Sequence, residues 1–318
     1  MSNGKLYDPA LRALVPEQVE RNQLIQEQSA AIPPVGTVSP DKLRRFRVYD
    51  KEGQIKLKLS DAARNETLKL SDRDLTVRIF DVETPAAVLV HFHGGGWIMG
   101  SIYEQEKYLT RMSQEAGVRV VSVDYPLAPE TQLPEIVEVA FTALCKIADG
   151  APDLPILIGG ESAGAHISLS VLLRLCADED RASRCSGAYL CYGIFDLGMT
   201  PSQRVFGDQS LGLSTEFLEW FYKLALPGLS PEQRRAPELS PLFADLSSLP
   251  PTHLIVGELD PLLDDTLFLH QRLLAAGNDS QMIAYPEAPH GFNGHPTEMG
   301  KHCNASINAF LKSRATNA

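Results

Sequence analysis

The pentapeptide Gly160-Glu161-Ser162-Ala163-Gly164 has the residue types of a nucleophilic turn between a strand and a helix. An apolar run at 154–158 precedes it, and a run of small and apolar residues follows it. A serine on such a tight turn projects its hydroxyl group, and glycine is needed two positions before and after it because the chain packs closely there. The pattern predicts Ser162 as a nucleophile, with a phosphate-binding or purely structural glycine turn as the alternative.

A nucleophile that attacks a carbonyl group needs hydrogen-bond donors for the oxyanion that forms. His93-Gly94-Gly95-Gly96 follows the apolar run 86–92, and glycines let backbone N–H groups approach a substrate without an intervening Cβ. We expect the N–H groups of Gly94, Gly95 and Ala163 to form this oxyanion hole. A flexible glycine turn is the alternative interpretation.

His91 and His93 are separated by one residue, a spacing that also occurs among metal ligands. Alternate residues of a strand point to opposite faces, so these two side chains would not converge on one ion. We expect His93 to brace the glycine loop by a hydrogen bond and His91 to be a strand histidine. No metal and no cofactor are predicted.

A base and an acid follow Ser162 in the chain order serine, acid, histidine. Asp260 comes directly after the strand-like run 254–259, and His290 lies on a loop after the run 281–285. We expect Asp260 to hold the imidazole of His290 in one tautomer, so that the imidazole can accept the serine proton.

Other acids and histidines are present but fit less well. Glu258, Asp264 and Asp265 are rivals of Asp260, although Asp264 and Asp265 suit the first turn of a helix, where the dipole favours carboxylates. The remaining histidines are expected to be structural or exposed: His166, His253, His270, His295 and His302.

Apolar strand-like runs that alternate with helical runs are expected to position these residues. Such alternation predicts an α/β fold with a mostly parallel central sheet and helices on both faces, and ligands bind at the carboxyl ends of its strands. Strands are predicted at 75–80, 86–92, 118–123, 154–158, 188–192, 252–256 and 281–285, and helices at 8–30, 133–148, 163–177, 264–276 and 304–312. Residues 31–40 are predicted as a loop, and 52–72 have no clear pattern.

One aromatic segment interrupts the alternation at 200–245. We interpret it as a cap insertion over the carboxyl edge of the sheet, joined there by an N-terminal helical segment at 1–45. The catalytic domain then spans 46–318. An ordinary core helix followed by a loop is the alternative for the insertion.

Composition limits the class of protein. The 318-residue chain is 44% hydrophobic and can bury a large core, while its net charge of −11 disfavours nucleic acid or an anionic membrane surface as a partner. No apolar run approaches the ~20 residues of a spanning helix, and no secretory signal is predicted. Five cysteines without a C-x-x-C pair favour a reducing cytoplasm. We expect a soluble cytoplasmic enzyme or binder of small molecules, with homo-oligomer formation left open.

In its motifs and their order the chain resembles the hormone-sensitive-lipase-like carboxylesterases, the bacterial family IV esterases of the α/β-hydrolase fold. The resemblance covers about residues 75–312 and rests on six segments: His93-Gly-Gly-Gly-Trp97, Asp124-Tyr-Pro-Leu-Ala-Pro-Glu130, Gly160-Glu-Ser-Ala-Gly164, Ser240-Pro-Leu, Gly257-Glu-Leu-Asp-Pro-Leu262 and His290-Gly-Phe292. It implies a helical cap, a triad and an oxyanion hole, formed by Ser162, Asp260 and His290 and by Gly94, Gly95 and Ala163.

Two positions depart from the family pattern. Glu161 stands where the family usually has Asp or Thr, and Pro126 stands where the usual segment reads Tyr-Arg-Leu-Ala-Pro-Glu. Both departures leave the expected chemistry intact, but they affect the details of the pocket wall.

The expected activity is hydrolysis of small to medium acyl esters through an acyl-enzyme. Aromatic side chains are expected to line an apolar pocket, with a core position as the alternative for all but the first: Trp97, Phe206, Phe221 and Phe292. A lactone- or amide-directed hydrolase with the same triad is one alternative function. A non-catalytic ligand-binding protein on the same fold is the other, and the complete triad disfavours it.

Overall fold

A computed structural model describes residues 8–29 and 33–316 of the chain. Its strands are β1 (Ala63–Lys69), β2 (Asp74–Phe80), β3 (Val88–Phe92), β4 (Arg119–Val123), β5 (Ile156–Glu161), β6 (Cys185–Cys191), β7 (Thr252–Leu259) and β8 (Ser280–Pro289). Its helices are α1 (Val15–Ser29), α2 (Pro40–Val48), α3 (Glu106–Ala116), α4 (Leu133–Asp149), α5 (Ala163–Leu175), α6 (Glu179–Ala182), α7 (Pro201–Val205), α8 (Thr215–Ala225), α9 (Leu263–Ala275) and α10 (Glu298–Thr316). Short 3-10 helices lie at Pro9–Leu14, Gln233–Arg235, Pro241–Phe243 and Phe292–Gly294.

The eight strands form one sheet in the order β1-β2-β4-β3-β5-β6-β7-β8. The β1–β2 and β2–β4 pairs are antiparallel, and the remaining pairs are parallel. The predicted α/β fold with a mostly parallel sheet is therefore confirmed.

Apolar side chains fill two layers, one on each face of the sheet. Every residue of β3 and β5 is buried, which is typical of central parallel strands covered on both sides. Side chains of α4, α5 and α9 pack on one face together with α8, and side chains of α3 and α10 pack on the other. Within the described ranges no helix is long and apolar enough to cross a membrane.

The sheet brings four chain segments to one edge. β3 ends before the glycine loop, β5 ends before Ser162, β7 ends before Asp260 and β8 ends before His290. Because these strands run parallel, their carboxyl ends lie on the same side of the sheet, where α/β folds place their ligand sites.

Three of the elements that were not predicted were missed for identifiable reasons. α2 begins with Pro40 at a helix start, but it is largely exposed and shows no apolar periodicity. β1 is a polar edge strand whose side chains are mostly exposed, so it shows no apolar alternation. α3 buries only one stripe of residues, which includes Leu109 and Met112, between polar positions.

The two segments predicted to form a cap contact each other. Gln26 Nε2 in α1 donates to the carbonyl oxygen of Gln209 at 3.0 Å. A Cβ on Gly36 would lie 3.4 Å from the indole nitrogen of Trp220 in α8. The division into 1–45, 46–318 and an insertion at 200–245 stays a prediction, and residues 1–7 and 30–32 lie outside the described residues.

Candidate active site

Ser162 occupies a strained turn between β5 and α5. Its backbone has φ 57° and ψ −121°, a region that non-glycine residues rarely adopt. A Cβ on Gly160 would lie 2.2 Å from the carbonyl oxygen of Phe92, and one on Gly164 would lie 1.9 Å from the same atom. Glycine at both positions is therefore required for this turn to pack against the end of β3.

Ser162, His290 and Asp260 form a continuous hydrogen-bonded chain. His290 Nε2 lies 3.0 Å from Ser162 Oγ, and His290 Nδ1 lies 2.8 Å from Asp260 Oδ2. The Asp260 side chain is fully buried, whereas 16% of the His290 side chain is exposed. The backbone N–H of Leu262 donates to the other Asp260 oxygen at 2.9 Å and fixes the carboxylate.

The three rival acids are engaged elsewhere. Glu258 accepts a hydrogen bond from the Glu287 N–H at 3.1 Å, and Asp264 accepts one from the Ser202 N–H at 2.7 Å. Asp265 accepts four hydrogen bonds, from Phe195 N, Asp196 N, Thr200 Oγ1 and Gln203 Nε2. Among the predicted acids, the structure places only Asp260 against the His290 imidazole.

The oxyanion loop, residues 93–100, folds beside Ser162. A Cβ on Gly94 would lie 3.4 Å from Ser162 Cβ, so this stretch of backbone is close to the nucleophile. Among the described residues, the N–H groups of Gly94 and Gly95 donate to no protein acceptor. Ala163 is the first residue of α5, and N–H groups in the first helical turn have no partner within the helix. All three predicted donors are therefore brought to one place.

His93 braces this loop from within the protein. Its Nδ1 lies 2.9 Å from the carbonyl oxygen of Gly94, and its ring stacks on Tyr125 with centroids 4.3 Å apart. The Tyr125 hydroxyl donates to the His93 carbonyl oxygen at 2.6 Å. Burial lowers the pKa of His93 to about 4, so the ring is neutral at physiological pH.

The segment from Glu287 to Asn293, which carries His290, is supported by Asn22 and Tyr192. The carbonyl oxygen of Glu287, a residue with φ 55°, accepts a hydrogen bond from Asn22 of α1 at 2.8 Å. The ring of Tyr192, which has φ 38°, lies edge-on to His290 with centroids 4.7 Å apart. The Tyr192 hydroxyl donates to Asn293 on the same loop. Sequence reasoning missed Asn22 and Tyr192, since neither lies in a recognisable motif.

The four aromatic residues predicted to line a pocket have different positions. Trp97 is fully buried, with its ring edge-on to His166, and Phe292 is fully buried against Tyr285. This packing places both residues in the core. Phe221 lies on the oxyanion loop, because a Cβ on Gly96 would come 2.4 Å from its ring. Phe206 is half-buried at the end of α7.

A family model described as the alpha/beta hydrolase fold matches residues 89–294. The chain belongs to the α/β-hydrolase fold family. An acetyl esterase of Salmonella schwarzengrund (strain CVM19633) and one of Salmonella typhi are each 29% identical over 226 residues, which cover 69% of this chain and 69% of theirs.

Solved α/β-hydrolase structures resemble the chain over nearly its whole length. The hyperthermophilic esterase of the archaeon Pyrobaculum calidifontis has a TM-score of 0.82 at 24% identity and covers 93% of this chain and 98% of its own. The thermostable carboxylesterase EstE1 from a metagenomic library has a TM-score of 0.75 at 25% identity, with 94% and 98% coverage. The predicted esterase family is confirmed, as is the predicted enzyme class, a carboxylic ester hydrolase.

A second set of polar side chains, most of them buried, surrounds the Glu161 carboxylate next to Ser162, and it was not predicted. Glu161 accepts hydrogen bonds from Gln105 Nε2 at 2.8 Å and Tyr189 OH at 2.9 Å, and its Oε2 lies 3.0 Å from His91 Nε2. His91 Nδ1 in turn lies 3.0 Å from Ser122 Oγ. Burial opposes ionisation of Glu161, but the adjacent His91 and the three donors outweigh it and lower the Glu161 pKa.

The contact between His91 and Glu161 follows from the register of β3 and β5. His91 in β3 pairs with Gly159 in β5, so the side chains of His91 and Glu161 lie on the same face of the sheet. A Cβ on Gly159 would lie 2.1 Å from the ring of Tyr189, so glycine there makes room for the third donor. In the described part of the chain no three His, Cys, Asp or Glu side chains converge as metal ligands would, and the expected absence of a metal or cofactor stays a prediction.

Proposed function

We propose that the chain hydrolyses small to medium acyl esters by nucleophilic catalysis, with Ser162 as nucleophile, His290 as base and Asp260 as the group that orients the base. The observation that carries the proposal is the continuous chain of hydrogen bonds from Ser162 Oγ through both nitrogens of His290 to Asp260. Membership of an esterase family supports the same chemistry.

In the first step His290 Nε2 takes the proton of the Ser162 hydroxyl while Oγ bonds to the acyl carbon of the ester. The carbonyl electron pair moves onto oxygen, and that oxyanion accepts hydrogen bonds from the N–H groups of Gly94, Gly95 and Ala163. The carbonyl then re-forms, the bond to the alcohol oxygen breaks, and His290 gives its proton to the departing alcohol. An acyl-enzyme on Ser162 remains.

In the second step water replaces the alcohol. His290 takes a proton from the water as its oxygen bonds to the acyl carbon, and the same N–H groups hold the second oxyanion. Collapse of this intermediate expels Ser162 Oγ, which recovers its proton from His290, and the carboxylic acid leaves. Asp260 orients His290 and stabilises its imidazolium form in both steps.

The surroundings of Ser162 favour a short acyl chain. Only 9% of this residue is exposed, and Phe221 of α8 packs directly on the oxyanion loop. The curated relatives described above are named acetyl esterases, which fits a small acyl group. We therefore propose acetyl to butyryl esters as the preferred substrates.

A chain-length series on the purified protein tests this proposal. We expect turnover of p-nitrophenyl acetate and butyrate, and at least about 10-fold lower kcat/KM for the octanoate, since each excess methylene must fit a closed apolar site. Ser162→Ala should fold normally and lose turnover by several orders of magnitude.

The alternatives give different results in the same experiment. Faster hydrolysis of a γ-lactone or an anilide than of any ester would assign the triad to those substrates instead. Binding of esters without turnover by the unmodified protein would indicate a non-catalytic member of the fold. The hydrogen-bonded position of His290 on Ser162 argues against that second alternative.

A further inference from the structure

The buried carboxylate of Glu161 connects the proposed nucleophile to the segment that contains the oxyanion loop. Its residue adjoins Ser162 in the chain, and its side chain is 3% exposed. Two of its three partners lie at the ends of the segment 91–105, which contains the oxyanion loop: His91 is in β3, two residues before the loop, and Gln105 is the N-cap residue of α3, five residues after it. Both bind the same atom, Glu161 Oε2.

We propose that Glu161, His91 and Gln105 form a loop-end clamp that positions the oxyanion loop relative to Ser162. The clamp holds both ends of the segment that carries Gly94 and Gly95, and it is attached through the main chain to the nucleophile. This inference rests on the proposed function, because it assigns a role within that reaction. Glu161 is a positioning residue here and touches no reacting atom.

The main chain of the oxyanion loop also packs against the main chain of Glu161. A Cβ on Gly94 would lie 3.0 Å from the Glu161 carbonyl oxygen, so the oxyanion loop rests directly on the residue that holds its ends. A displacement of about 1 Å at such a position can lower turnover about 100-fold, because the donors must meet the oxyanion and not the ground-state carbonyl.

The third partner offers a matched control. Tyr189 OH donates to Glu161 Oε1 at 2.9 Å, and Tyr189 belongs to β6 and not to the chain segment 91–105 that carries the oxyanion loop. Replacement of Glu161 itself would leave all three partners unmatched in the core and could prevent folding. Gln105→Leu and Tyr189→Phe each remove one hydrogen bond from the same carboxylate and keep most of the side-chain volume.

Gln105→Leu and Tyr189→Phe should differ in their turnover. We expect Gln105→Leu to lower kcat for p-nitrophenyl butyrate about 10-fold with KM within about twofold, since only transition-state contacts are disturbed. Its affinity for a trifluoromethyl ketone, which binds as an oxyanion, should fall by a similar factor. Tyr189→Phe should keep both quantities within about twofold of the unmodified protein.

Two results would overturn the clamp. One is a Gln105→Leu variant with unchanged kcat and ketone affinity, and the other is a Tyr189→Phe variant that loses as much as Gln105→Leu. In either case the unmodified protein would still hydrolyse esters, so the proposed function would stand. An unmodified protein without any ester turnover would remove both the proposed function and this inference.

Discussion

The protein contains two Ser-His-acid arrangements with nearly the same distances, and we propose that only the first is catalytic. In the first, His290 connects Ser162 and Asp260 at 3.0 and 2.8 Å. In the second, His91 connects Ser122 and Glu161, and both of its distances are 3.0 Å. The atoms alone therefore do not distinguish a catalytic set from a structural one.

Three features separate the two arrangements. Ser162 has a strained backbone at the start of a helix, whereas Ser122 is an interior residue of β4 paired on both sides with Arg78 and His91. The serine binds Nε2 of His290 in the first set and Nδ1 of His91 in the second. Ser122 and His91 are fully buried, so no substrate can reach them. Backbone strain, the imidazole nitrogen that faces the serine, and access to solvent separate the two sets.

The largest loss of turnover should come from replacing Asp260, the acid of the accessible set formed by Ser162, His290 and Asp260. Asp260→Asn should lower kcat about 10,000-fold, because the amide no longer fixes the imidazole tautomer. Asp264→Asn removes a carboxylate that accepts a hydrogen bond from the Ser202 N–H and should change turnover little. Steady-state kinetics on both variants checks this prediction. A larger loss of kcat in Asp264→Asn than in Asp260→Asn would assign the role of orienting acid to Asp264.

The proposed oxyanion donors lie beside Ser162, in the accessible set. Gly94→Ala would place a Cβ 3.0 Å from the Glu161 carbonyl oxygen and 3.4 Å from Ser162 Cβ, so the loop must shift. We expect kcat to fall about 10- to 100-fold with little change in KM. Gly150→Ala is the control, since Gly150 has φ −75° and its nearest contact would be an ordinary 3.4 Å. Equal losses in both variants would contradict the prediction.

Changing the buried serine should affect stability and leave turnover intact. Ser122→Ala deprives His91 Nδ1 of its partner, which should reduce the free energy of unfolding by about 1–3 kcal/mol. Urea denaturation measures this change. Turnover should stay within about twofold, as expected for a core residue away from the reacting atoms. A loss of activity comparable to that of Ser162→Ala would mean that the buried set takes part in the reaction.

His166 is a buried histidine whose hydrogen-bond partner is a backbone carbonyl group. His166 Nε2 lies 2.8 Å from the Leu239 carbonyl oxygen, and burial lowers the His166 pKa to about 4. Between about pH 6.5 and 4 the unfolded chain therefore binds a proton that the folded chain does not, so stability falls as pH falls. His166 should contribute a slope of about 1.4 kcal/mol per pH unit in that range.

Urea denaturation at several pH values tests this contribution. His166→Gln should lower that slope by about 1.4 kcal/mol per pH unit relative to the unmodified protein. The half-buried His270 has a pKa that burial lowers by a smaller amount, so His270→Gln should lower the slope less. An unchanged slope in His166→Gln would contradict the assignment of a neutral buried imidazole.

The residues of the accessible set were predictable because each lies in a short motif at a strand end. Ser162, Asp260 and His290 follow β5, β7 and β8, and parallel strands necessarily bring these ends together. The oxyanion glycines were predictable for the same reason. Their roles remain proposals, but their convergence follows from the fold.

The buried set could not be predicted from local patterns. His91 and Glu161 are 70 residues apart in the chain, and their contact depends on the lateral register of β3 and β5. The Trp97 side chain, predicted to line a pocket, is fully buried and edge-on to His166, at a residue with a positive φ of 61°. Side-chain direction at a turn is set by backbone conformation, which the motif alone does not give.

The most direct test of the account is covalent labelling by a fluorophosphonate followed by peptide mass spectrometry. A fluorophosphonate reacts with a serine hydroxyl that is both activated by a base and accessible. The account predicts one adduct, on Ser162, that is abolished in Ser162→Ala and formed far more slowly in Asp260→Asn. An adduct on Ser122, or the absence of any adduct on the folded protein, would contradict it.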